Sequence, residues 1–78
     1  MTVPPLGGGG LTGAVKSYDK RKGVGAITPD RGGDDIAVYS SELERAGFSS
    51  LAFGDRLSFD VQIDRALGRS FAVNLARV

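Results

Sequence analysis

Apolar residues recur at every second position through much of the chain, and short polar or glycine-rich breaks separate these runs. The clearest run covers residues 56–64, where Leu57, Phe59, Val61 and Ile63 alternate with Arg56, Ser58, Asp60, Gln62 and Asp64. A period of two predicts a strand with one buried and one wet face. Residues 11–19 predict a first strand, ending in the polar turn Asp19-Lys20-Arg21-Lys22. Residues 23–28 predict a second, stopped by Pro29 and the turn-forming Asp30-Arg31-Gly32-Gly33-Asp34. In residues 35–40, Ile36 and Val38 fall on one face and Ala37 and Tyr39 on the other. A short helical turn is predicted over 41–46, with Ser40 or Ser41 as N-cap and Gly47 as its stop. Residues 48–54 read as loop. A fifth strand covers 69–77, with Phe71, Val73 and Leu75 in register as core residues. Five short strands and no long helix predict an all-β fold, and closing the sheet removes the open edges of so short a chain.

Composition narrows the function classes. Pro4, Pro5 and the run Gly7-Gly8-Gly9-Gly10 give residues 1–10 the character of a flexible tail, so the folded domain is expected over 11–78. The 78 residues include no cysteine and no histidine, which removes disulfides, nearly all zinc sites and histidine-based catalysis. Asp30, Asp34 and Asp35 flank Gly32-Gly33, but the EF-hand spacing and its terminal glutamate are absent. The expectation is a non-enzyme without cofactor or metal. No apolar stretch approaches the roughly 18–20 residues of a membrane span, so a soluble, cytoplasmic protein is expected; a monomer is expected as a separate matter. Net charge is only +1, yet Lys16, Lys20, Arg21 and Lys22 cluster against Asp19 alone. That basic segment, on a mildly acidic remainder, suits either a local anionic contact or an ordinary solvated loop.

Lys22-Gly23-Val24-Gly25-Ala26-Ile27 resembles the first ribonucleoprotein motif of cold-shock domains, K-G-F-G-F-I. The likeness extends to Gly13-Ala14-Val15-Lys16 (G-x-V-K), Thr28-Pro29-Asp30, and Asp34 to Ser41 (D-x-V/L-F-V-H-F-S). It continues through Gly47-Phe48-x-x-Leu51, Gly54-Asp55-x-Leu57-Ser58-Phe59 and the closing Ala72-Val73-Asn74-Leu75. Five segments in order resemble the family, which implies a five-stranded antiparallel OB-fold barrel that binds single-stranded RNA or DNA. In the family, outward rings stack on bases and a basic groove follows the phosphates.

Most of those rings are absent. The family's K-W-F is Lys16-Ser17-Tyr18, the two phenylalanines of the first motif are Val24 and Ala26, and those of the second are Ala37 and Ser40. Tyr18, Tyr39 and Phe48 stand at matching aromatic positions. Alternation places both tyrosines on the outer face; Phe48 is a ligand contact or a plug over the barrel end. Phe71 is a fourth aromatic candidate, where many members carry glutamine or alanine, although its register assigns it to the core. Lys16 and Lys22 match family positions that contact the strand, whereas Lys20 and Arg21 read as turn charges. Losing about four stacks at ~1 kcal/mol each lowers affinity roughly a thousandfold, so binding is expected to be weak and phosphate-led. The alternative is a barrel whose small-residue face, with Val24, Ala26 and Ala37 beside Tyr39, meets a protein partner.

Overall fold

A computed structural model describes residues 10–78; the tail expected over 1–10 lies, apart from Gly10, outside the described residues. Five strands, β1 (Leu11–Asp19), β2 (Val24–Pro29), β3 (Ile36–Tyr39), β4 (Arg56–Asp64) and β5 (Arg69–Arg77), form one closed barrel in the order β1-β2-β3-β5-β4. One helix, α1 (Ser40–Ala46), follows β3 directly. The barrel is the OB-type closure expected, with one difference: β3 and β5 pair in parallel, at Ala37↔Phe71, while every other pairing is antiparallel. A crossover through α1 and β4 brings β5 back beside β3 in the same direction, and that parallel contact closes the barrel.

The inner faces pack Val15, Ile27, Val38, Leu57 and Phe59 into a core that α1 caps with Leu43. Burying each of the larger side chains contributes about 1.5–3 kcal/mol. The alternation of β4 holds only through Phe59 and, partly, Val61; Ile63 is 70% exposed. Pairing with β1 ends at Leu11↔Phe59, while β4 and β5 continue as a two-stranded hairpin to Asp64↔Arg69. Ile63 therefore lies beyond the barrel wall, where nothing covers its face.

The helix also begins differently from its expected start. Tyr39 takes the N-cap position without a side-chain cap, and the Ser40 N–H donates to Gly23 O at 2.9 Å. Its end is the expected one. Gly47 adopts φ 84°, a left-handed conformation that glycine enters without a steric penalty. Gly47 N–H donates to Glu44 O (3.1 Å) and Phe48 N–H to Leu43 O (2.8 Å), a Schellman arrangement that folds Phe48 back toward the core.

Two β-bulges interrupt the ladders. In β1 the register slips between Val15↔Ile27 and Ser17↔Ala26, leaving Lys16 as the extra residue. In β5, Asn74 and Leu75 together oppose Phe59, between Ser58↔Ala76 and Asp60↔Val73. Asn74 is the one non-glycine described residue with positive φ (54°). Its Nδ2 donates to Asp60 Oδ2 at 2.9 Å, and Gly10 N–H donates to the other carboxylate oxygen. Each bulge reverses the in–out parity of the residues beyond it.

Candidate nucleic-acid interface

Residues paired across antiparallel strands share a face, so the register specifies the outer surface. One cross-strand row runs Ser17–Ala26–Ala37–Phe71–Gln62 through all five strands. A second runs Asp19–Val24–Tyr39. Val24, Ala26 and Ala37 are half-buried on this face and floor a groove of about 480 Å³. Asp34, Asp35, Gly68, Arg69 and Ser70 also line the groove. With small side chains on its floor, the face is concave rather than a ring-covered platform.

Phe71 belongs to this face, contrary to the core register expected for it. The bulge at Asn74 moves Ala72 into the core (0% exposed) beside Leu75 and turns Phe71 outward. Its ring lies 5.6 Å from that of Tyr39, tilted by 53°, within the range of favourable aromatic pairing. The Tyr39 hydroxyl is buried and has no hydrogen-bond partner.

Tyr18 makes the opposite move. Strict alternation places it outside, but the bulge at Lys16 sends Ser17 outward and pairs Tyr18 with buried Gly25. Tyr18 packs against the core cluster. A Cβ on Gly25 would stand 2.9 Å from Tyr18 Cδ1 and 2.5 Å from Ser17 O, so glycine here admits both the ring and the strand's curvature. Tyr18 also lines a smaller groove, of about 240 Å³, with Lys20, Ser40, Leu43 and Phe48. Phe48 is half-buried against the core, and the Arg77 guanidinium sits 5.0 Å above its ring, at cation–π distance. The aromatics that sequence reasoning grouped as one surface thus form two clusters, Tyr39–Phe71 and Tyr18–Phe48.

Lys16 and Arg56 are held by acids. Lys16, ejected by its bulge and 61% exposed at its side chain, pairs with Asp35 at 3.0 Å. Lys16, with the Thr28 hydroxyl, holds the Asp35 carboxyl below its ordinary range. Lys22 is exposed on the β1–β2 turn, where Asp19 Oδ1 accepts the N–H groups of Arg21 and Lys22. At the opposite end, Arg56 grips Asp30 with both terminal nitrogens and lowers its pKa to about 2, assisted by Thr12. Gln62, Arg69 and Arg77 escaped the sequence reading. Only strand pairing brings Gln62 opposite Phe71 and Arg69 to the groove, and only the fold brings Arg77 over Phe48.

Residues 11–78 match the 'Cold-shock' DNA-binding domain family. The chain belongs to the cold-shock domain family. Among similar proteins, Cold shock protein CspA of Rhizobium meliloti is 42% identical over 64 residues, covering 82% of this chain and 93% of that protein. Cold shock domain-containing protein 4 of Arabidopsis thaliana is 43% identical over 70 residues, covering 90% of this chain. The aligned stretch is only 34% of the Arabidopsis protein. Cold shock protein CspV of Vibrio cholerae is 42% identical over 52 residues. Within this cold-shock domain, the ring-bearing motif positions are Val24, Ala26 and Ala37, and the groove lies over them. No helix among the described residues is long and apolar enough to cross a membrane, and no cluster of three or more potential metal ligands occurs among them.

Proposed function

We propose that this cold-shock domain binds single-stranded RNA or DNA on its outer face and acts, without catalysis, as an RNA chaperone or a regulator of transcription or translation. The observation that carries the reading is the continuous row from Ser17 to Gln62, in which Phe71 pairs its ring with that of Tyr39 in the neighbouring row. That pair offers one stacking platform; Lys16, Lys22 and Arg69 border the same face and suit the phosphates. Tyr18 and Phe48 line a second groove at the α1 end, so a strand crossing the sheet meets rings at two separated points. Val24, Ala26 and Ala37 act as a floor that a base can approach, not as stacking partners.

Fewer rings lower the affinity and leave charge as the larger share of binding. Neutralising about three phosphates gives a salt slope of roughly −2 for single strands. Lys16 must exchange Asp35 for a phosphate, which weakens its net contribution. The domain over residues 11–78 carries this activity as a monomer.

A salt series of oligo-dT or oligo-rU binding by fluorescence anisotropy tests the reading. The expected result is dissociation constants from about 1 to 10 μM at low salt, weakening steeply as salt rises. Absence of binding at low salt overturns it and turns attention to a protein partner on the small-residue groove.

A further inference from the structure

Stacking on a nucleobase requires a ring with a face free of protein. Five of the six aromatic residues give part or all of their ring surface to the protein itself. Phe59 is fully buried, Tyr18 packs against the core, Phe48 lies beneath Arg77, and Tyr39 and Phe71 pack on each other. Phe53 is different: it is 85% exposed.

Its position is fixed although its ring is free. Phe53 occupies a tight turn in which Asp55 N–H donates to Ala52 O (3.0 Å) and Ala52 N–H donates to Asp55 Oδ2 (2.9 Å). The turn is docked on β1 by two further bonds, Gly54 N–H to Val15 O and Val15 N–H to Asp55 O, both 2.8 Å. The β1–β4 ladder itself stops at Ala14↔Arg56, so these bonds carry it one step further, toward Lys16 and Ser17. Phe53 comes next, one Cα step of about 3.8 Å beyond Gly54. Asp55, at the turn's other end, pairs with Arg77 at 3.8 Å, the same guanidinium that covers Phe48. Phe53 is therefore anchored beside exposed Lys16 and Ser17, where the outer row begins without a ring, and on the side of the barrel that leads to Phe48.

We propose that Phe53 is a nucleobase-stacking residue, supplying from this turn the ring that the outer row lacks at Ser17, with Lys16 taking the neighbouring phosphate. The inference rests on the single-strand-binding reading above. A single exposed apolar side chain is common on protein surfaces. Phe53 differs in being aromatic, open on its surface, and carried by a turn that four backbone-anchored hydrogen bonds hold against β1. A pre-ordered platform loses little entropy on engagement, which favours its use even where other rings are scarce.

The chain has no tryptophan, so Phe53→Trp makes a single fluorescent reporter at the proposed contact. Titrated with oligo-dT, this variant is expected to bind with wild-type affinity or better, and its emission is expected to be quenched by the stacked base. Phe53→Ala is expected to weaken binding of a labelled oligo-dT about five- to hundredfold. Phe53→Leu, which keeps apolar bulk without a ring, is expected to behave like the alanine variant, and both are expected to unfold at the wild-type denaturant midpoint. Binding by the wild type with unchanged affinity in Phe53→Ala and unquenched emission in Phe53→Trp overturns the role of Phe53 alone. Failure of the wild type to bind overturns both this role and the binding reading beneath it.

Discussion

Tyr39 carries a conflict within one side chain. Its ring pairs with Phe71 on the outer face, while its hydroxyl is buried without a partner. A buried, unpaired polar group lowers stability by about 1–3 kcal/mol relative to a satisfied one. Tyr39→Phe removes that group and keeps the ring. The variant is expected to be as stable as the wild type or more so by about 1 kcal/mol in urea unfolding, with oligo-dT binding retained. A clear loss of stability would show that the hydroxyl has a partner in solution. At this scale the motif made Tyr39, Lys16 and Lys22 legible as candidates, because residue type and order are properties of the chain. The state of each was not legible. That Lys16 spends its charge on Asp35, or that Phe48 lies under Arg77, depends on residues 19 and 29 positions away.

At the scale of elements, the bulges decide which rings the face presents. The one at Lys16 turns Tyr18 toward the core; the one at Asn74 turns Phe71 toward the surface. Asn74 holds the second bulge in a left-handed conformation at φ 54°, with its amide on Asp60. Asparagine tolerates that conformation and alanine does not, at about 1–2 kcal/mol. Asn74→Ala is therefore expected to lower stability by about that amount, while Asn74→Gly, conformationally free, is expected to lower it less; denaturant midpoints of the pair check this. Equal stability of the wild type and the alanine variant would mean that the bulge does not depend on this residue. The spans of β1 and β5 and the glycine stop of α1 were readable from alternation and turn chemistry. The bulges were not, because a bulge is a mismatch between two strands and neither strand alone encodes it.

For the whole molecule, acid is the condition that tests the surface network. Asp30, Asp35 and Asp60 all ionise below their ordinary range. Arg56 is the chief cause for Asp30, at about 2, Lys16 for Asp35 and the Asn74 amide for Asp60. With folded pKa values depressed, the unfolded chain binds more protons than the folded one below about pH 4. The contribution of these groups is complete above that pH and is lost as pH falls toward 2. Melting temperature is expected to stay nearly flat from pH 7 to 5, since no histidine titrates there, and to drop between about pH 4 and 2. Rising stability on acidification would contradict these pairings.

The sequence by itself determined an all-β chain of five strands, its cold-shock kinship, the glycines of the curved second strand and the scarcity of rings at the motif positions. Those are matters of local periodicity, backbone freedom and residue identity. The tertiary structure decided the parallel closure of β3 on β5, the exchange of Tyr18 for Phe71 on the outer face, and the docking of the Phe53 turn against β1. Each depends on register between strands distant in the chain. A one-residue shift in that register carries a ring from core to surface without any change in the sequence around it.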